Sequence, residues 1–318
     1  MHRSIVPFTL TSLALALAGC PSNPATDDAG SGGNDTGMSS MEDAPATVRC
    51  PTMDVPSPEE QMPPCCFRYS QADQQDTPEM RLRFISIDEP AASPLASTAV
   101  ESVLNTALQR ETFNWLFRTT GADADGAIEI ATGYGTRNTD GSYTLGSADY
   151  MPITLPGTIT GETITTETVA GPLDIPIFDE TGAVLQIVLR LRDVQVVEAN
   201  LTEMRSCIGT RRGNSFTTGA TLQGYVTVAD AREGMINVPP IDSTLCSVIA
   251  GELATPAGMM PMCDRPQSTW TAKPDSLCDA SGCETNMTGM TDVCDPDTTC
   301  NAWRLLAQFA AVGINIAE

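Results

Sequence analysis

The chain has 318 residues and sets 40 Asp and Glu against 17 Lys and Arg, a net charge of −23 at pH 7. Such a surface repels phosphate backbones and anionic headgroups, which excludes nucleic acid as a partner and leaves no basic patch to hold a membrane. One histidine, His2, and one lysine, Lys273, are present, so chemistry that depends on either has almost no material.

At the start of the chain Arg3 precedes a short apolar run from Ile5 to Leu17. This is the layout of a secretory signal, too short and wrongly flanked for a membrane span. The run closes on Leu17-Ala18-Gly19-Cys20, small residues followed at once by a cysteine. The segment resembles the lipobox of bacterial lipoproteins, L-[AS]-[GA]-C, at every position. The resemblance implies residues 1–19 as a signal peptide cut before Cys20, a diacylglycerol on the Cys20 thiol and an acyl chain on the new amine. One chain holds weakly, whereas two or three give stable attachment. Pro21 stands where an aspartate would mark inner-membrane retention in enteric bacteria, so the resemblance implies the outer membrane, with neither face specified. Cleavage would also remove His2. The mature chain then lacks Ser-His-Asp and Cys-His catalysis, histidine bases and histidine metal ligands.

Residues 20–49 read as the lipidated cysteine and a disordered acidic tether, because a run such as Asp27-Asp28-Ala29-Gly30-Ser31-Gly32-Gly33 buries too little to offset chain entropy. Residues 50–78 are rich in Pro and Cys and read as a disulfide-pinned loop region. Met80-Arg81-Leu82-Arg83-Phe84 alternates apolar and charged residues, the mark of a half-buried strand, and a slip at Phe84-Ile85 marks a bulge. Residues 94–118 read as the longest helix, with Ser93 as N-cap, Pro94 at N1, and Val100, Val103, Leu104, Ala107, Leu108 and Trp115 on one face.

From there to about residue 230, strand signals dominate. Ala127–Thr132 reads as a strand, Asp140-Gly141 as a hairpin turn, and the Thr- and Ile-rich residues 153–170 as strands wet on one side. Ala183–Leu201 is the strongest alternation, and its parity changes at a bend near Arg192-Asp193. Leu222, Gly224, Val226 and Val228 alternate again and are expected to pair with it. Residues 240–254 predict a short helix carrying Cys246, capped by Asp242 or Ser243. A terminal helix is expected after Asn301, with Trp303, Leu306, Phe309 and Ala310 facing inward. The expected fold class is α+β: a curved antiparallel β-sheet packed on one long helix (about 94–118), with a disulfide-rich C-terminal extension. The division is an α+β domain over 50–254 and a Cys-rich subdomain over 255–318 packed on it. No later stretch has the ~18 uninterrupted apolar residues of a spanning helix.

Eleven cysteines minus Cys20 leave ten: Cys50, Cys65, Cys66, Cys207, Cys246, Cys263, Cys278, Cys283, Cys294 and Cys300. An even remainder behind an export signal predicts five disulfides whose pairing the sequence leaves open. The spacings within Cys278–Cys283 and Cys294–Cys300 lack CxxC and have no histidine nearby, which disfavours zinc. Weak calcium candidates are Asp123 and Asp125, then Asp292, Asp295 and Asp297 around Cys294. The first pair fails the EF-hand spacing, because Gly121 and Thr132 stand where ligands would be. No cofactor is otherwise expected. No G-x-S-x-G, Walker A or G-x-G-x-x-G motif occurs, and Gly133-Tyr134-Gly135 is followed by Thr-Arg-Asn.

The layout of signal, tether, strand-rich middle and Cys-rich end is similar to disulfide-rich outer-membrane lipoproteins of Gram-negative bacteria. The reading is an exported, membrane-anchored lipoprotein without catalytic residues, structural or binding a protein partner. A second reading is an apolar-ligand or lipid carrier with a cavity lined by Val103, Leu185, Ile187, Leu189 and Val226. A third is a carboxylate-based hydrolase, for which two acids must converge with one pKa raised. Forty acids nominate no particular pair.

Overall fold

A computed structural model describes residues 74, 76–169, 171–178, 185–202, 205–212, 215–238, 241–287 and 289–317. All lie in the unit Thr47–Glu318. The lipobox with Cys20, the tether, and Cys50, Cys65 and Cys66 fall outside the described residues.

Alternation in the sequence becomes strand after strand. In chain order these are β1 (Glu79–Glu89), β2 (Trp115–Thr120), β3 (Gly126–Arg137), β4 (Tyr143–Leu145), β5 (Ile153–Thr160), β6 (Thr163–Thr166), β7 (Leu173–Phe178) and β8 (Leu185–Asn200). Then come β9 (Cys207–Ile208), β10 (Thr210–Arg212), β11 (Ser215–Thr217), β12 (Ala220–Thr227), β13 (Met235–Val238) and β14 (Ile241–Thr244). The last are β15 (Ser276–Cys278), β16 (Cys283–Thr285) and β17 (Ala302–Gly313). Among the described residues, three α-helices with defined bounds punctuate them: α1 (Thr98–Arg110), α2 (Val228–Glu233) and α3 (Leu245–Ala250).

The strands β1-β2-β3-β5-β6-β8-β12-β17 pair in sequence order, and β17 pairs back onto β1. Every one of these pairings is antiparallel. The result is a closed up-and-down barrel, which removes the free edges that an open sheet exposes. This corrects the expected α+β fold. The molecule is predominantly antiparallel β-structure, and among the described residues only α1 exceeds six residues.

The expected helix over 94–118 splits into a 3-10 turn at Pro94–Ala96, α1 and strand β2. Ser93 does cap the 3-10 turn, accepting from Leu95 N. Glu111 ends α1 in the left-handed region at φ 62, so Trp115 lies on a strand. There Trp-Leu-Phe-Arg-Thr-Thr is rich in the aromatic and β-branched residues that strands favour. The terminal helix expected after Asn301 is likewise absent: residues 302–313 form β17 between β1 and β12. Ala- and Leu-rich helix propensity is overridden there by two strand partners. The helix at 240–254 shortens to α3, and its N-cap is Thr244, not Asp242 or Ser243.

The bulge expected at Phe84-Ile85 falls one step earlier: β1 shifts register between Leu82 and Phe84 and again between Ile87 and Glu89, while Phe84 and Ile85 pair in step with Ala310 and Phe309. The bend expected near Arg192-Asp193 is present, where Asp193 takes φ 46. β12 pairs with β8.

One face of each ring strand feeds a single core. Phe117 stacks on Trp115 at 5.9 Å and on Phe309 at 5.5 Å, so an aromatic stack reaches from β2 past β1 to β17. The Trp115 indole donates to Thr132 Oγ1 at 2.7 Å, and Thr132 in turn donates to Leu116 O. β1 and β2 pair only over Glu79–Arg81, and α1 fills the seam above. Buried Arg81 holds the C-terminal end of α1, donating to Leu108 O at 2.9 Å and pairing with Glu111 at 3.3 Å, the end of a helix that favours a cation.

Three disulfides are formed among the described cysteines: Cys246–Cys263, Cys278–Cys283 and Cys294–Cys300. Cys207 is also disulfide-bonded. Trp270 carries the Cys-rich segment onto the barrel by stacking on Trp303 of β17 at 5.6 Å.

Candidate functional site

Two spaces in the described structure have the form of sites. The first lies beneath α1, between it, α3 and the β7–β8 pair. Its wall is wholly apolar and includes Val103 and Leu104 of α1, Ile177 of β7, Ile187 and Leu189 of β8, and Leu305 of β17. Its volume is about 50 Å³, whereas small-molecule sites run to roughly 300–1,000 Å³. Three of the five expected cavity residues, Val103, Ile187 and Leu189, do line it. Leu185 is 38% exposed and Val226 is buried in the core, and neither lines it.

The second is a polar cleft of about 420 Å³ between the bend of β8 and the β15–β16 hairpin. Thr168, Asp193, Asp279, Ser281, Gly282, Cys283 and Glu284 line it together with Leu277. Asp193 reaches it because the β8 bend turns its side chain toward the hairpin, where Oδ2 accepts from Cys283 N at 2.6 Å. A Cβ at Gly282 would come within 2.9 Å of that oxygen, so the contact requires glycine there. The Ser281 hydroxyl and then its N–H donate to Asp279 and hold that carboxyl below the usual carboxylate range. Asp279 is therefore an ionised acceptor and not a general acid.

The calcium candidates do not converge. Asp125 Oδ1 accepts from Gly161 N at 2.8 Å and ties two hairpins together. Asp295 turns onto its own loop, accepting from Asp297 N and from the Thr298 hydroxyl, which keeps its carboxyl below the usual range. Asp297 pairs with Lys273 at 2.5 Å. Asp123 and Asp292 are exposed. Among the described residues no three His, Cys, Asp or Glu side chains gather as a metal site.

Most arginines elsewhere are spent in ion pairs. Asp230 of α2 pairs with Arg192 at 2.8 Å and with Arg190 at 3.7 Å, and Arg190 pairs with Asp174 at 2.7 Å. Burial pushes the Asp230 carboxyl up. The hydrogen bonds from Arg192 and Thr227 and the charges of Arg192 and Arg190 outweigh it, leaving Asp230 below its ordinary value. At the end of β3, Tyr134 packs edge-on against Tyr150 and tilted against Phe178. Burial, then mutual charge, pushes the Tyr134 hydroxyl up.

The sequence pointed to the bend at Arg192-Asp193 through its parity change, but not to the cleft. Asp193 and Glu284 are 91 residues apart in the chain, and no local pattern joins them.

Comparison of the chain with protein-family models, with curated proteins and with solved structures found no match.

Proposed function

We propose that this protein is an exported, lipid-anchored, non-enzymatic module that binds a partner at its surface. The observation that carries the reading is the filled barrel. Trp115, Phe117 and Phe309 stack through its interior beside a space of about 20 Å³, and the cavity under α1 holds about 50 Å³, room for one or two waters and not for an acyl chain. What is left to bind with is the outside, an acidic surface whose arginines are mostly engaged in ion pairs. The lipobox at Leu17–Cys20 supports the anchor. No membrane-crossing helix is present among the described residues.

The second reading, an apolar-ligand carrier, draws on the wholly apolar wall of the cavity under α1 and on Val103, 38% exposed at its side. A ligand would require α1 to move outward.

Intact mass of the protein purified in detergent, with analysis of its organic-solvent extract, tests both. The anchored-module reading expects a chain beginning at Cys20, heavier by its acyl chains, and no lipid beyond them. An uncleaved or unacylated chain overturns the anchor. Stoichiometric extractable lipid overturns the filled-barrel argument in favour of the carrier.

A further inference from the structure

We propose that the Cys278–Cys283 disulfide is a thiol–disulfide exchange site, and that the acidic cleft beside it selects aminothiols over anionic thiols. Cys278 and Cys283 face each other in register on β15 and β16. Both are half-buried, and Cys283 lines the 420 Å³ cleft. The other two described disulfides are closed off, with Cys246 0%, Cys263 2%, Cys294 6% and Cys300 2% exposed. Exchange requires a thiolate to approach one sulfur directly, so access orders the bonds.

The hairpin is held without the sulfur bridge. The Asn301 side chain accepts from Cys278 N at 2.7 Å and donates to Cys278 O at 2.8 Å. Asp193 grips Cys283 N, and the Thr285 hydroxyl donates to the Tyr225 hydroxyl at 3.0 Å. Cutting the disulfide therefore leaves two thiols in position to pair again.

Charge supplies the selectivity. Asp193, Asp279 and Glu284 line the cleft, and none of its lining residues is a cation. An anionic thiol is repelled there, while an ammonium group beside the thiolate is drawn in.

The reaction balances without any further reagent. An aminothiol thiolate attacks Cys283 Sγ, the bond to Cys278 breaks, and Cys278 leaves as a thiolate that takes up a proton. A second aminothiol attacks the small-molecule sulfur of the mixed disulfide, and Cys283 leaves and is protonated. Two aminothiols become one disulfide, and the protein disulfide becomes two thiols.

The test treats the folded full chain with cysteamine or with 3-mercaptopropionate at matched thiolate concentration, quenches by alkylation and maps labelled cysteines by peptide mass. The expected result is labelling of Cys278 and Cys283 at least about tenfold faster than any other cysteine. Cysteamine should be several-fold faster than 3-mercaptopropionate, with the preference narrowed by Glu284→Gln and by about 1 M salt. Labelling of another cysteine first, labelling of all pairs together, or a thiol preference indifferent to both Glu284→Gln and salt overturns the proposal.

Discussion

Asn105 stands in for a missing strand beside Ile85. Its carboxamide accepts from Ile85 N and donates to Ile85 O, both at 2.9 Å. β1 has left β2 by this point, so the backbone of Ile85 would otherwise have no partner on that side. The helix thus closes the barrel seam through one side chain that offers a donor and an acceptor, as a neighbouring strand would.

Asn105→Ala should cost about 2–4 kcal/mol, because it leaves a buried N–H and a buried C=O unpaired. Urea unfolding measures this. A loss below about 0.5 kcal/mol would mean that the seam is held by apolar packing of α1 alone.

Thr132→Val should cost about 1–3 kcal/mol, since the buried Trp115 indole loses its acceptor while side-chain volume is kept. The near-ultraviolet circular dichroism of Trp115 should change with it. An unchanged spectrum and midpoint would show that the indole has found another partner.

Phe309→Ala should cost about 3–5 kcal/mol by removing one end of the aromatic stack. The same variant opens apolar space inside the barrel. It should bind a small apolar probe such as benzene, detectable as a rise in melting temperature, which the parent chain should not show. Equal shifts in both proteins would contradict the filled interior.

The Asp230 carboxyl titrates below its ordinary value of 3.8. Its unfolded form takes up a proton first as pH falls. The stabilisation from Arg192 and Arg190 is therefore fully present above about pH 4 and is lost as pH drops through the folded value. Asp230→Asn should lower the urea midpoint at pH 7 and flatten its fall as pH drops below about 4. An unaltered acid limb would assign acid unfolding to other carboxyls.

Local order was legible in the sequence wherever one face of a strand is wet. The alternation in β5, where Leu155 and Ile159 are buried between exposed neighbours, and the parity change at Arg192-Asp193 both appear in the fold, because burial and bending act on neighbouring residues. At Met80–Phe84 the strand forms, but Arg81 is buried and the register shift falls between Leu82 and Phe84. The failures fall where a strand lacks a regular polar face. In β17, Trp303, Leu305, Ala307 and Phe309 are buried, and so are Ala302, Ala310 and Ala311. Such a run fits helical spacing as well as strand spacing. The cleft was illegible for a different reason, since Asp193 meets Cys283 only after β8 and the hairpin have docked.

The sequence alone therefore determined composition, charge, the absence of histidine after residue 2, and those strands whose two faces differ in polarity. Tertiary structure decided that the sheet closes. The pairing of β1 with β17 joins residues more than two hundred positions apart. The hydrogen bonds that make residues 302–313 a strand exist only when β1 and β12 are already beside it.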